Sequence, residues 1–283
     1  MNTPIKVLIT GIDGFIGSAL QRVLMDRGCE VWGISASRSD GRILRADLRN
    51  AAETRRVLST TSNFDAVIHC AAIAHSEKKY SIKSCYEMNP IMTNNLLQAI
   101  EGQCKKFIFM SSIAVYGEAD RDCPVGVSTE SRPSTNYGFS KLASEKIVLS
   151  SRCPEIAILR LAPVYDEEHL RDIKKRVFFP CQSVLKMKLM PTPQYSLCHI
   201  NNLTGRVWNL LSHNFHPPKT VMNIADPTPY SQHVLNSWFK GINILLPIKA
   251  FWFLYYFSYY IPFKYGYSIR CIMWKLFRSN VYE

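Results

Sequence analysis

Short apolar runs alternate with helical periodicity through the first 165 residues. Ile5–Thr10, Glu30–Ile34, Ala66–Cys70, Phe107–Ser111 and Ile156–Leu161 each have the length and composition of a buried strand. Between them, the stretches up to Arg27, Asn50–Ser59, Asn89–Glu101 and Tyr137–Ser150 repeat apolar positions at helical spacing. Strand and helix in strict alternation imply right-handed βαβ crossovers, so the pattern predicts an α/β fold, a doubly wound parallel sheet of Rossmann type with helices on both faces. After Tyr165 the rhythm breaks. A basic, proline-punctuated stretch (Arg171–Pro193) precedes a helix near Asn201–Leu211 and a strand at Val221–Ile224. The expected organisation is a main domain over 1–165 and a smaller lobe over 166–283, with about 196–225 returning to the main domain.

Composition adds a size and a compartment. A chain of 283 residues, 47% hydrophobic and 20% charged, buries a sizeable core. Its nine cysteines are odd in number and scattered, with no Cys-x-x-Cys pair, which speaks against a disulfide framework and against a zinc site. No metal is expected. The start of the chain lacks the pattern of a signal peptide, and the expectation is a cytoplasmic protein. A net charge of +12 suits nucleic acid, anionic lipid or a phosphorylated small molecule equally.

Directly after the first apolar run stands Gly11-Ile12-Asp13-Gly14-Phe15-Ile16-Gly17. Such a loop turns tightly, lets backbone approach a pyrophosphate and sets that anion on the positive end of the next helix, where side chains would obstruct each step. Its place between first strand and first helix points to a dinucleotide. The second strand runs into Gly33-Ile34-Ser35-Ala36-Ser37-Arg38, with no acid for ribose hydroxyls. Ser35 and Arg38 suit a 2′-phosphate better, so NADP is favoured slightly over NAD, with both left open. Asp47 either accepts from the adenine amino group or caps the following helix.

Tyr137 and Lys141 stand four residues apart on one helical face. A phenol titrates near 10 and needs a neighbouring cation to exchange its proton at neutral pH, which Lys141 supplies. Upstream, the run Phe107–Met110 ends in Ser111-Ser112, at the carboxyl end of a strand, where open parallel sheets bind ligands. Ser112 would orient the reacting oxygen.

Gly11 to Gly17, His69-Cys70-Ala71-Ala72, Met110 to Gly117, Tyr137 to Lys141 and Leu159 to Tyr165 together resemble the NAD-dependent epimerase/dehydratase family, extended short-chain dehydrogenases acting mainly on nucleotide sugars. The likeness covers roughly residues 1–225. It implies Ser112, Tyr137 and Lys141 as the catalytic set, with Ser112, Ile113 and Tyr137 facing substrate. It also implies Gly11, Asp13, Gly14, Phe15, Ile16 and Gly17 as the pyrophosphate loop, and Asp47, Leu48, Ala71, Ala72, Lys141 and Pro163 as further cofactor contacts. Departures narrow the reaction. Family dehydratases carry an Asp-Glu pair after the catalytic hydroxyl residue, where this chain has Ile113 and Ala114, so dehydration is not expected. The segment Gln194–His199 lacks the arginine that grips a substrate diphosphate in many relatives, and Arg176, Lys186 and Lys188 are the candidate substitutes. The reading is an NAD(P)-dependent 4-epimerase or 4-ketoreductase of a nucleotide sugar, in cell-surface polysaccharide biosynthesis. Alternatives are an enzyme of lipid-linked sugars or lipids, and a non-catalytic dinucleotide-binding regulator.

From Tyr230 to Tyr282 the chain holds 17 of its 33 aromatic residues, and from Pro227 onward no acid appears before Glu283. The densest run, Ile248 to Ile261, is 14 residues long, short of the roughly 20 that span a bilayer. With Lys240, Lys249, Lys264, Arg270, Lys275 and Arg278 around it, the run fits either a buried helix at the core or at a homodimer contact, or peripheral docking of 248–261 on the inner membrane face. Nucleic acid is not an expected partner, since it demands a basic aromatic surface rather than an apolar aromatic run.

Overall fold

Chain segments rich in Val, Ile and Leu become strands buried on both faces, as in β1 (Lys6–Thr10), where Val7, Leu8 and Ile9 are fully buried. A computed structural model describes residues 3–61, 63–73, 82–117, 124–179, 183–260 and 273–283. After β1 come β2 (Glu30–Ser35), β3 (Ile43–Arg45), β4 (Phe64–His69), β5 (Cys104–Ser112), β6 (Glu155–Leu161) and β7 (Lys219–Ile224). They form one parallel seven-stranded sheet in the order β3-β2-β1-β4-β5-β6-β7. The order reverses at β1, whose neighbours are β2 and β4, and a crevice at such a switch point is where open α/β sheets bind ligands.

Helices α1 (Phe15–Asp26), α2 (Ala51–Leu58), α3 (Ile82–Ala99), α4 (Asn136–Leu149) and α5 (Ile200–Ser212) accompany the sheet. Leu8, Val67, Phe107 and Ile156 from four strands meet Leu58 of α2 and Leu96 of α3 in one core. Two elements differ from the sequence pattern. Strand β3 is only three residues long and exists because Gly33, Ile34 and Ser35 of β2 offer it an edge. Helix α3 begins at Ile82 rather than Asn89 and carries Pro90 inside, a residue that reads as a helix start in sequence.

Residues 1–117, 130–161 and 200–223 make up this sheet unit, and 118–129, 162–199 and 224–283 make up a second one. The second unit is built from short, far-apart pairings. Leu185–Met190 lies parallel to Ile242–Pro247, Gln194–Tyr195 antiparallel to Tyr230–Ser231, and Val164–Tyr165 parallel to Cys198–His199. The chain end returns to it: Tyr195 bridges Asn280 and Val125 bridges Tyr282. Its helices include Arg171–Val177, Gln232–Ser237 and Ile248–Phe257. Ile248 packs with Met187, Leu189, Met273 and Phe277, and Trp252 and Tyr255 lie against this cluster. Phe253, Tyr256, Phe257 and Tyr260 are exposed. Ile261, Lys264 and Arg270 lie outside the described residues. Among the described residues no helix is long and apolar enough to cross a membrane.

Candidate active site

The glycine loop closes on itself: Gly14 N–H donates to Gly11 O at 3.0 Å, and Gly11 N–H donates to Ile34 O of β2 at 3.1 Å. Gly11 has φ +67°, and a Cβ there would sit 2.8 Å from the Ala71 backbone. A Cβ on Gly17 would run into the Gly11 carbonyl. Gly14 is the N-cap of α1 and brings no capping side chain, so an outside anion can approach the positive end of α1 without a side chain in its way. The cradle therefore fits a pyrophosphate. Phe15 and Ile16 are half-buried in that first turn, and Gly17 is buried.

Asp13 and Arg38 meet at the rim of this loop, with Arg38 Nε donating to Asp13 Oδ1 at 2.6 Å. Burial pushes the Asp13 carboxyl up, but hydrogen bonds from Ser35 and Arg38 outweigh it and hold it below its usual range. Buried Ser35 also accepts from the backbone N–H of Ser37 and Arg38 at 3.0 and 3.1 Å, fixing the turn after β2. The pairing of Arg38 with Asp13 carries no spacing signal, since the two are 25 residues apart. Asp47 is held by Arg49, whose Nη2 donates to Oδ2 at 2.6 Å. It does not cap α2. Asn50 does, accepting from Glu53 N–H at 3.1 Å. Leu48 is buried in the core, with its carbonyl bound by Asn95.

Beneath the loop, His69 at the end of β4 is locked between two threonines, Nδ1 to Thr10 Oγ1 at 2.7 Å and Nε2 to Thr93 Oγ1 at 3.1 Å. Burial and, secondly, the Lys141 charge push it down to about 3, so the ring is neutral. Thr10 Oγ1 also accepts from Ala71 N–H at 3.2 Å, which sets Ala71 against Gly11, with Ala72 following half-buried. A histidine serving as a strut between β1, β4 and α3 is a finding of the structure.

Helix α4 starts at Thr135, whose Oγ1 accepts from Gly138 N–H at 3.1 Å, and places Tyr137 in its first turn. Its buried face is narrow and polar: Gly138, Ser140, Lys141, Ser144 and Glu145, with Val148. Small residues let it lie close to β5 and α3, where Asn89 Nδ2 donates to Ser140 Oγ at 3.0 Å. Lys141 Nζ donates to Met110 O at 2.7 Å, and lies 4.8 Å from the Phe109 ring centroid and 5.9 Å from that of Tyr137. Burial lowers Lys141 to about 8, while Cys70 and Glu145 raise it. It is therefore predominantly cationic at neutral pH. Ser112 ends β5 and accepts from Ala114 N–H at 3.2 Å, capping the 3₁₀ turn Ile113–Tyr116 and placing Ile113 beside it, half-buried.

Behind these residues runs a buried polar chain. Arg160 of β6 pairs with Glu145 at 2.8 Å through Nη2 and 3.1 Å through Nε; Ser111 Oγ donates to Glu145 at 2.5 Å; and Arg160 Nη1 donates to Tyr116 OH at 3.0 Å. Glu145 is one turn beyond Lys141, so Tyr137, Lys141 and Glu145 line one face of α4, and Lys141 and Glu145 are anchored to β5 and β6. The four-residue spacing repeated to Glu145 was the available sequence signal.

In the second unit, Pro163 O accepts from Cys198 N–H at 3.0 Å. Two of the three candidate diphosphate cations are engaged within that unit. Buried Lys186 donates to Asn236 O and Phe239 O at 3.1 and 2.7 Å, and Arg176 donates to Asp172 O and stacks 5.2 Å from the Tyr195 ring centroid. Lys188 is half-buried.

A glycine cradle at a sheet switch point and a Tyr-x-x-x-Lys helix beside a strand-end serine define a dinucleotide-binding protein of the short-chain dehydrogenase/reductase type. The NAD dependent epimerase/dehydratase family matches residues 7–225, and the chain belongs to it. A UDP-glucose 4-epimerase of Vibrio cholerae is 29% identical over 230 residues, 74% of this chain and 67% of that enzyme. A dTDP-4-dehydrorhamnose reductase of Mycolicibacterium smegmatis is 30% identical over 161 residues, 56% of this chain and 46% of that one. Thus the aligned part spans about half to two thirds of these relatives. A short-chain dehydrogenase/reductase superfamily protein of Agrobacterium tumefaciens, solved with bound NAD, shares the fold at TM-score 0.72 and 19% identity over 86% of both chains.

Proposed function

We propose that this chain is an NAD(P)-dependent enzyme acting at C4 of a nucleotide sugar, as a 4-epimerase or 4-ketoreductase serving cell-surface polysaccharide synthesis in the cytoplasm. The observation that carries it is the buried Lys141 ammonium beside Tyr137, one turn along α4, at the C-terminal end of β5. The bound dinucleotide supplies or accepts the hydride. Tyr137 holds the proton exchanged at the C4 oxygen, Ser112 hydrogen-bonds that oxygen and fixes its direction, and Lys141 stabilises the phenolate that forms. Gly11, Gly14 and Gly17 would hold the pyrophosphate of a bound dinucleotide, and Arg38, at the rim of that loop, would favour a 2′-phosphate. Ile113 and Ala114, at the places of a dehydratase acid and base, leave no carboxylate for water elimination.

A second reading, action on a lipid-linked sugar at the membrane surface, draws on the exposed Phe253, Tyr256, Phe257 and Tyr260 and on the engagement of Lys186 with carbonyls. The same exposed residues would serve a homodimer. The deciding experiment incubates the protein with nucleotide sugars and their 4-keto derivatives, with NAD(H) and NADP(H), following absorbance at the nicotinamide band and product stereochemistry. Turnover of a 4-keto or 4-hydroxy nucleotide sugar supports the reading, and absence of turnover on the whole panel refutes it.

A further inference from the structure

At the opposite end of β5 from Ser112, two thiols face each other. Cys104 is the first residue of β5, Cys153 lies two residues before β6, and their sulfurs are 3.5 Å apart. The register explains the meeting. Lys106 pairs with Glu155 and Ile108 with Ala157, an offset of 49, and the same offset carries Cys104 onto Cys153. Parallel neighbours in a sheet stand about 4.8 Å apart, inside the range of Cα separations a disulfide spans. Both residues are partly exposed, so a small reagent can reach them.

We propose that Cys104 and Cys153 form a reversible dithiol–disulfide site that low-molecular-weight disulfides oxidise. The Cys153 thiolate attacks one sulfur of the reagent, a mixed disulfide forms at Cys153, and the first reagent thiol leaves. Cys104 then gives up its proton and attacks the Cys153 sulfur, releasing the second reagent thiol. Two protein thiols lose two electrons and two protons, and the reagent disulfide gains them as two thiols. The order of attack follows from the pair's own hydrogen bond. Either sulfur can donate in that bond; with Cys104 as the donor the Cys153 thiolate is favoured, with the Lys219 charge helping, and the Cys104 thiol is pushed up. Lys219 is anchored beside the pair, donating to Leu149 O at 2.6 Å.

Closure would tie β5 to β6 across the crossover that contains α4. It lies at the amino-terminal edge of the sheet, away from Ser112, so its effect is on stability rather than chemistry.

The test treats the full chain with graded ratios of oxidised to reduced glutathione, then alkylates it and maps its peptides by mass spectrometry. The expected product is a Cys104–Cys153 cross-linked peptide, two hydrogens lighter than the reduced pair and restored by dithiothreitol. Cys104→Ser should trap a stable glutathione adduct on Cys153, and Cys153→Ser should abolish the cross-link. Oxidised wild type should melt about 5 °C higher than reduced, a shift missing from either serine variant, since the bridge constrains a long loop in the unfolded chain. A glutathione adduct that persists on Cys153 of the wild type, unmodified thiols at full oxidation, or an unchanged melting temperature in a cross-linked sample each overturns the proposal.

Discussion

Glu145 in the sheet unit and Lys186 in the second unit are both buried ions, and they are satisfied in different ways. Glu145 meets a guanidinium, Arg160, and a hydroxyl, Ser111, all on neighbouring elements of the same βαβ crossover. Lys186 meets the carbonyls of Asn236 and Phe239, at the C-terminal end of the helix Gln232–Ser237, some fifty residues away. One ion is neutralised by an opposite charge and stiffens a reactive helix. The other is spent on structure, which removes it from any role in gripping substrate.

The largest test of that contrast is chemical. Tyr137→Phe should lower turnover by about 10²–10⁴-fold while dinucleotide affinity, read by fluorescence titration, stays close to wild type. Parallel loss of affinity and turnover would mean that the residue is structural. Next in size is the ion pair. Glu145→Gln leaves the Arg160 charge buried without its counterion, the two side chains being 2% and 9% exposed, and should cost about 3–5 kcal/mol in denaturant unfolding. Lys186→Met, which removes the cation but leaves carbonyls at a helix end, should cost about 1–3 kcal/mol. Equal losses would erase the distinction between the two ions.

Lys141 links this ion pair to catalysis through pH. Burial lowers its value to about 8, so its charge is present below pH 8 and is lost as pH rises through it. Ketoreduction, measured at saturating substrate, should fall about tenfold per pH unit above that point. Because the Glu145 charge raises Lys141, Glu145→Gln should move this limb to lower pH. A limb that stays in place would separate Glu145 from the reactive groups. Smaller again is the cofactor effect. Arg38→Ala should weaken NADP(H) about tenfold and NAD(H) little, by loss of a charge-assisted bond. Equal affinities in the variant and in wild type would show that Asp13 keeps Arg38 occupied.

The smallest effect concerns the second unit's surface. If residues 248–261 dock on anionic membrane, Phe253→Ser with Tyr256→Ser should reduce co-sedimentation with anionic liposomes at unchanged melting temperature. Each nearby Lys or Arg contributes about 1 kcal/mol at low salt. Trp252 is the control. It packs on the Ile248–Met273–Phe277 cluster, with Arg278 stacked 4.9 Å from its ring centroid, so Trp252→Ser should lower stability whether or not lipid is bound. Loss of lipid binding only together with stability, or none in wild type, turns the reading toward a homodimer contact.

What sequence alone determined lies in local spacing. The strand-and-helix alternation, the glycine loop after β1, and Tyr137 with Lys141 on one face of α4 depend on contacts within one crossover, and one crossover is a continuous stretch of chain. Tertiary structure decided whatever rests on pairing across distance. That Arg38 turns to Asp13 and that β3 exists at all follow from which strands lie side by side. In the second unit nearly every pairing is of this kind, from Tyr195 with Asn280 to Ile242 with Leu185, so its basic residues looked alike in sequence. Their charge was visible from composition, but whether each faces a carbonyl, a ring or solvent depends on neighbours that only folding supplies. Cys104 and Cys153 make the same point, since two scattered cysteines become a pair through the register of two parallel strands.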